Sequence, residues 1–312
     1  MNTAINTAIN TGFSGRFHLV KSRDGVVSQE LEFDNLILDS GLERLGVGWI
    51  IDRCKVGSGN TAPTVADVNL ASELATSTDV RTVTPFITAN TASRWTEVTT
   101  CYRFAAGVGT GTIAEVGVGW AAGLWSRTLI KDGSGVPTTI TKLADETLDV
   151  YYTLRIQLPA SDITGSIVLE GVTYDYILRP ANINTYPQTQ NAFFGNAFGG
   201  YGSTDGSSWD ASNTSIAAVD SAPGVHGSGS GRSSAAYTPG SNTRRITYSA
   251  GLDAANVAGG FKSIVLPVYG AYGNGQQRWQ MGFYVSGVAT AVPKTATKIF
   301  SIVLDFTWAR GS

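Results

Sequence analysis

The sequence is poor in charged side chains, which make up 15% of its 312 residues, where about a quarter is usual. The 22 lysines and arginines nearly balance the 24 aspartates and glutamates, so the formal net charge is −2. Proteins that bind nucleic acid carry a basic field that displaces counterions from phosphates, and this composition offers no such field. We therefore expect no nucleic acid among its partners, and a surface built mainly from Ser, Thr, Asn, Gln and Gly.

Histidine and cysteine are also scarce, with two of each in the whole chain. His18 and His226 lie far apart, and neither has a cysteine or a second histidine at the short spacings that zinc and iron sites use. Cys54 and Cys101 each lie in a strand-like stretch without a neighbouring cysteine. We expect no metal and no other cofactor, and two free buried thiols instead of a disulfide.

Neither a secretory signal nor a long apolar run is present. The first residues, MNTAINTAINTG, contain no positive segment followed by an apolar one, and no stretch approaches 18 continuous apolar residues. We expect a protein made in the cytoplasm, without membrane insertion. Residues 1–12 are predicted to be an N-terminal arm held by a partner molecule, with a disordered tail as the alternative and ordered structure beginning near Phe13.

What dominates instead is an alternation of apolar and polar side chains, which predicts half-buried β-strands. The longest alternating segments are 147–158 and 300–308. Ser40-x-x-Glu43 is a capping box that predicts one short helix, and Asp24-Gly25 predicts a tight hairpin turn. The predicted fold is all-β, with two related antiparallel β-sandwich (jelly-roll-like) domains and very little helix.

A short repeat indicates that the two halves are related. Residues 136–143 read VPTTITKL and residues 292–299 read VPKTATKI, and each precedes a long alternating strand. A weaker pair, FAAG at 104–107 and YSAG at 248–251, precedes them in the same order. Two ordered matches favour duplication of a β-domain.

This repeat sets the predicted domain boundaries. After the arm, residues 13–185 are predicted to form a β-sandwich attachment domain. Residues 186–242 are then a Gly/Ser-aromatic loop or linker, and residues 243–312 form the remainder of a second β-domain. In the alternative division, the second domain also includes 186–242.

Aromatic residues interrupt the Gly/Ser-rich stretch between the halves. A pure Gly/Ser tract would be a flexible linker, whereas spaced aromatic side chains indicate a loop that packs against something. Three interpretations stay open: packing within or between subunits, a mobile linker, and a sugar-binding surface. The candidate ligand or subunit contacts are Phe193, Phe194, Tyr201, Trp209 and, further along the chain, Trp279.

No catalytic constellation is recognisable. A Gly-x-Ser-x-Gly elbow does not occur between a strand and a helix, and the nearest string, at 227–231, belongs to the Gly/Ser-rich stretch. Three acids there leave open a glycan depolymerase with paired carboxylates, although solvated loop acids are commoner: Asp205, Asp210 and Asp220. We predict that the protein is not an enzyme.

One Gly-x-Gly stretch raises the question of a phosphate site: CKVGSGNTAPTVADVNL at residues 54–70. A P-loop continues with Gly-Lys-Ser/Thr, and a dinucleotide fold opens a helix, but here Asn-Thr-Ala-Pro follows Gly59. We predict a structural loop without nucleotide binding. In it, Gly57 and Gly59 adopt φ values closed to other residues, Pro63 stiffens the chain and Leu70 anchors the far end.

A set of motifs follows in fixed order along the first half: DNLILDSGLERLG (34–46), KVGSGNTAPTVADVNL (55–70), YRFAAGVGTGTIAEVGVGW (102–120), LWSRTLI (124–130) and TTITKLADETLDVYYTLRI (138–156). Together they resemble the structural proteins of tailed bacteriophages that form tails, collars or fibres. The resemblance covers about residues 10–180, and the second half matches only through the weaker repeat. It carries over no catalytic residues.

The resemblance implies a non-enzymatic component of a phage tail, neck or baseplate, assembled in the host cytoplasm and working in the virion as a symmetric homo-oligomer. The implied partners are copies of itself and other tail or neck proteins, with a host-surface glycan as a further candidate. The low charge favours assembly too, because interfaces of strand edges and apolar patches need few ions. The alternative is a receptor- or polysaccharide-binding tail fibre or tip, in which Tyr201, Trp209 and Trp279 stack on sugar rings.

Overall fold

The structure is a computed structural model, and it describes residues 4–47, 51–185, 209–229, 231–269 and 277–311. Within these ranges it contains one helix, α1 (Asp39–Leu45), and otherwise strands, which confirms the all-β prediction. The strands are β1 (Ala4–Arg23), β2 (Val26–Asp34), β3 (Leu36–Ile37), β4 (Arg53–Gly57), β5 (Glu73–Ser77), β6 (Val80–Arg81), β7 (Ile87–Asn90), β8 (Trp95–Phe104), β9 (Gly111–Ile113), β10 (Glu115–Trp120), β11 (Gly123–Leu129), β12 (Ile140–Lys142), β13 (Glu146–Gln157), β14 (Ile163–Leu169), β15 (Val172–Ala181), β16 (Trp209–Ser212), β17 (Gly227–Gly229), β18 (Gly231–Ser234), β19 (Thr243–Ala250), β20 (Ser263–Tyr269), β21 (Gln277–Val285), β22 (Val288–Ala289) and β23 (Phe300–Arg310).

The two longest alternating segments form β13 and β23, as predicted. Successive side chains of a strand point to opposite faces, so every second apolar residue reaches the core. Both strands bury one row completely or nearly so: Leu148, Val150, Tyr152, Leu154 and Ile156 in β13, and Phe300, Ile302, Leu304, Phe306 and Trp308 in β23. The other row of β13 carries partly exposed polar groups on the outer face of its sheet.

Strand β1 is the central element of the molecule. From Gly12 to Arg23 it pairs antiparallel with β13, and from Ala4 to Phe13 it pairs in parallel with β23. Residues 4–12 are therefore part of a strand bound to the C-terminal strand of the same chain. The expectation of an arm held by a partner, with order beginning near Phe13, is wrong, because β23 supplies the hydrogen bonds that the arm needs.

The hairpin and helix predictions had different outcomes. Asp24 (φ 49°) and Gly25 (φ 79°) form the two-residue turn between β1 and β2, as predicted. Helix α1 begins at Asp39, and its N-cap Leu38 makes no side-chain cap. Ser40 instead donates its hydroxyl to Leu124 O at 2.8 Å, and Glu43 accepts from Gly240 N at 2.7 Å, so the capping box does not form.

Two smaller sheets flank one large sheet. The nine-stranded sheet runs β18-β19-β23-β1-β13-β8-β6, with β2 beside β1 and β7 beside β8. A five-stranded sheet runs β3-β11-β10-β4-β5, and a seven-stranded sheet runs β14-β15-β21-β20-β16-β17, with β22 beside β21. The short pair β9–β12 stands apart from these three.

Both halves of the chain share one topology. In the five-stranded sheet, a hairpin (β10–β11) lies between β3 and the pair β4–β5; in the seven-stranded sheet, a hairpin (β20–β21) lies between β15 and the pair β16–β17. Within the large sheet, β6-β8-β13 corresponds to β18-β19-β23. The repeated VPxTxTK sequences occupy equivalent positions, because they lead into β13 and β23. The two sandwiches are related, and β1 joins their halves of the large sheet.

The strand pairing moves the predicted domain boundaries. β14 and β15 lie within the predicted first domain, yet they pair with β21 in the sheet of the second sandwich. Residues 209–234, within the predicted linker, contribute β16, β17 and β18 to the second half. Sequence position alone could not show this, because β14 and β15 are separated from β21 by about a hundred residues.

A buried tryptophan links the two layers in each sandwich. In the first, Trp125 of β11 packs edge-on against Phe13 at 5.8 Å between ring centroids, and its Nε1 donates to the Tyr152 hydroxyl at 2.8 Å. In the second, Trp209 of β16 packs against Phe300 at 6.2 Å, and its Nε1 donates to Ser249 O at 3.0 Å. Each indole thus fills core volume and also satisfies its one polar atom.

Candidate functional site

A buried carboxylate organises the Gly-x-Gly loop that follows β4. Glu115 is the first residue of β10 and is fully buried. Its side chain accepts hydrogen bonds from three backbone amides of the loop: Gly59 N at 3.1 Å, Ala71 N at 3.0 Å and Ser72 N at 2.8 Å. Both ends of the segment 58–72 are therefore tied to one side chain.

Arg127 of the neighbouring strand β11 completes this arrangement. Its side chain is 3% exposed, and its Nε donates to Glu115 at 2.8 Å. The rest of the guanidinium reaches into the loop, where it donates to Thr61 O at 2.9 Å and to the Asp67 carboxylate. We call Glu115, Arg127 and Asp67 the loop clamp.

Asp67 connects the clamp to the outer part of the loop. Its carboxylate accepts from Thr64 N at 3.0 Å and from the Thr64 hydroxyl at 2.7 Å. Partial burial opposes ionisation of Asp67, but the Thr64 hydrogen bonds and the Arg127 guanidinium outweigh it and lower the pKa of Asp67. The carboxylate is thereby kept ionised, as the ion pair with Arg127 requires.

The two glycines are needed for space and not for unusual backbone angles. Neither Gly57 nor Gly59 has a positive φ, so the predicted reason for them is wrong. A Cβ on Gly57 would lie 2.7 Å from Glu115 Oε1, and a Cβ on Gly59 would lie 2.6 Å from the Cβ of Ala71. Glycine lets the backbone approach the buried carboxylate closely enough to donate to it.

The other two loop residues sit as follows. Leu70 is 7% exposed and packs with Leu38 and Leu124 in a small apolar cluster, where it can anchor the far end of the loop. Pro63 is partly buried. Its stiffening role stays a prediction.

The clamp already uses the groups that a phosphate cradle would need. In phosphate-binding loops the backbone amides point at the ligand. Here the Gly59, Ala71 and Ser72 amides already donate to Glu115, and the arginine that could attract an anion is paired with two carboxylates. The site is built to hold a loop.

The predicted aromatic contacts lie elsewhere. Trp209 and Trp279 are fully buried in the core of the second sandwich, so neither can stack on a sugar in this fold. The prediction of these two as sugar platforms is wrong, because their strands turn them inward between the sheets. Phe193, Phe194 and Tyr201 lie outside the described residues.

Two of the acids considered for glycan cleavage lie in the described residues, and they have different surroundings. Asp210 lies in β16 beside Arg278 (4.0 Å) and Ser228 (3.4 Å), and burial raises its pKa against the opposing effect of Arg278. Asp220 is exposed in a loop, and Asp205 lies outside the described residues. Across the described ranges, no group of three or more His, Cys, Asp or Glu side chains could hold a metal ion.

The two cysteines are free and buried, as predicted. Cys54 is 0% and Cys101 1% exposed. Burial raises the pKa of Cys54 well above its usual value and that of Cys101 to about 12, so both are held as neutral thiols. In the part of the chain that the structure describes, no helix is long and apolar enough to span a membrane.

A polar pocket that the sequence analysis missed opens on the outer face of the large sheet. It has a volume of about 340 Å³, and its lining residues come from β1, β2, β8 and β13 and the segments beside them: Ser14, Gly15, Arg16, Asp34, Asn35, Glu97, Thr153, Arg155 and Gly311. The sequence carries one sign of this pocket, which is the presence of charged residues at the outward-facing positions of these strands. Only the pairing of strands distant in sequence brings that row into one pocket.

Comparison with protein-family models, with curated proteins and with solved structures finds no match to this chain.

Proposed function

We propose that this chain is a non-enzymatic structural component of a tailed-phage virion, located in the tail, neck or baseplate and assembled as a symmetric homo-oligomer. The observation that supports this most is the loop clamp. The motifs that resemble those of phage structural proteins supply Gly57, Gly59, Asp67, Glu115 and Arg127, and all five serve to hold one loop. A catalytic centre would leave such groups open to a substrate.

The clamped loop offers a contact surface to a neighbouring molecule. Val65 and Val68 are 40% and 52% exposed although the loop backbone around them is fixed. A rigid loop loses little conformational entropy on binding, so exposed apolar side chains on it favour association. The partners proposed are copies of this chain and other tail or neck proteins.

Mass spectrometry of purified virions, followed by a virion reconstruction, tests the proposal. We expect the chain in the particle, in a copy number set by the symmetry of its ring. A matched pair of variants tests the loop: Val65→Ser/Val68→Ser should reduce incorporation, whereas Val26→Ser/Val27→Ser, at the exposed start of β2, should not. Absence from virions together with a strictly monomeric purified protein would contradict the proposal.

The alternative function, a receptor- or polysaccharide-binding fibre or tip, loses the support of Trp209 and Trp279 because both are buried. A receptor- or polysaccharide-binding function would need a binding surface that does not include these two tryptophans.

A further inference from the structure

We infer that the polar pocket on the outer face of the large sheet binds a neutral sugar unit. This inference goes beyond the proposed role in assembly and does not depend on it. The pocket volume of about 340 Å³ lies within the range of small-ligand sites, roughly 300–1,000 Å³.

The base of the pocket is a preorganised ion-pair network. Glu97 is 6% exposed and accepts from Arg155 Nε at 2.8 Å and Nη2 at 2.7 Å. Arg16 Nη2 lies 3.5 Å from the same carboxylate, and the Trp95 ring packs on the Arg155 guanidinium with 4.5 Å between its Cζ and the ring centroid. Both guanidiniums are thus held in place before any ligand arrives, which reduces the entropy cost of binding.

Hydrogen-bond acceptors with no partner complete the lining. Asp34 is exposed, and in the described ranges no hydrogen bond or ion pair joins its carboxylate to another side chain. Asn35 donates its Nδ2 to the Tyr152 hydroxyl at 3.2 Å, whereas its Oδ1 is buried without a hydrogen-bond partner in the same ranges. The Oδ1 atom is closed to solvent, so the acceptor that the pocket offers to a ligand hydroxyl is the exposed Asp34 carboxylate.

The balance of charge selects the class of ligand. Two arginines face two carboxylates, so the lining has no net formal charge and would reward neither an anion nor a cation. The lining has no large apolar side chain, which excludes an apolar ligand. Hydroxyl groups both donate and accept, and several on one ring match arginine donors beside carboxylate acceptors. A neutral sugar presents such a set.

Saturation-transfer difference NMR on the full chain tests this inference, with D-glucose, D-galactose, D-mannose and N-acetyl-D-glucosamine as neutral probes, and D-glucuronate and inorganic phosphate as anionic ones. We expect signal transfer to at least one neutral sugar and weaker binding of the anions. A second arm uses tetrasaccharides of the responding sugar, which separates a free sugar from a unit of a glycan.

Variants connect the binding to the pocket. Asp34→Ala and Ser14→Ala should each weaken the affinity at least tenfold, while Asp220→Ala, an exposed aspartate outside the pocket, should leave it unchanged. Circular dichroism verifies folding, and the second pocket variant keeps the test decisive if one fails to fold. No transfer to any neutral sugar, stronger binding of the anions, or wild-type affinity in the pocket variants would overturn the inference. None of these results bears on whether the chain is present in virions.

Discussion

Gly59 shows how a single residue type can be required by a contact across the sheet. Its amide donates to Glu115, and any side chain at this position would collide with Ala71. We predict that Gly59→Ala lowers the free energy of unfolding by about 1–3 kcal/mol, the usual cost of overpacking. Chemical denaturation measures the change. The control is Gly133→Ala, because a Cβ there meets nothing within 4 Å, and equal losses in the two variants would contradict the interpretation.

Glu115 itself provides the second test at the residue scale. Glu115→Gln should destabilise the fold by about 3–5 kcal/mol, because it leaves Arg127 buried with only part of its countercharge. The same change at Glu32, whose side chain is 58% exposed and pairs with Arg16 at 3.3 Å, should cost less than about 1 kcal/mol. Urea titrations of both variants give the comparison, and a cost at Glu115 no larger than at Glu32 would show that the clamp does not hold the loop.

The sequence predicted the loop and the residues that fix it, but it did not predict the contacts that require those residues. Gly57, Gly59 and Leu70 could be singled out because Gly-x-Gly and an isolated Leu in a polar stretch are local signals. Glu115 and Arg127 could not be recognised as their partners, because they lie in strands about fifty residues away and alternation alone predicts only that they belong to a sheet. The polar pocket was missed for the same reason.

At the scale of the element, β1 does the most to join the structure. Its first part buries Ile5 (3% exposed) and Ile9 (0%) and pairs with β23, whereas its second part pairs with β2 and β13. Strand prediction from alternation marks such a segment poorly. NTAINTAIN is polar enough to be interpreted as a tail, and only a parallel neighbour 300 residues away turns it into a strand.

Deletion of residues 1–11 tests this element. Loss of the two buried isoleucines alone should lower the free energy of unfolding by about 3–6 kcal/mol, at about 1.5–3 kcal/mol each. The uncovered edge of β23 should also promote self-association. Denaturation and light scattering measure the two effects, with deletion of residues 1–3, which precede β1, as control. Unchanged stability after removal of residues 1–11 would mean that the parallel pairing contributes little.

For the whole molecule, we expect the continuous nine-stranded sheet to make the two sandwiches unfold as one cooperative unit. Strands of the second half reach β1 through β23, and β14 and β15, which the sequence placed in the first domain, lie in the second sandwich. We predict one calorimetric unfolding transition, with equal calorimetric and van't Hoff enthalpies. Two separated transitions would show that the sandwiches unfold independently despite the shared sheet.

The sequence by itself determined the class of fold, the strands β13 and β23, the relation between the halves, the buried thiols and the position of the structural loop. These follow from alternation, turn residues and repeats, which act over a few neighbouring residues. Only the tertiary structure decided that the first residues pair with the last strand, that β14 and β15 belong to the second sandwich, that Trp209 and Trp279 face inward, and that a buried carboxylate holds the loop. Each of these depends on which distant strands become neighbours, and hydrogen-bonded pairing across a sheet leaves no local trace in the order of the residues.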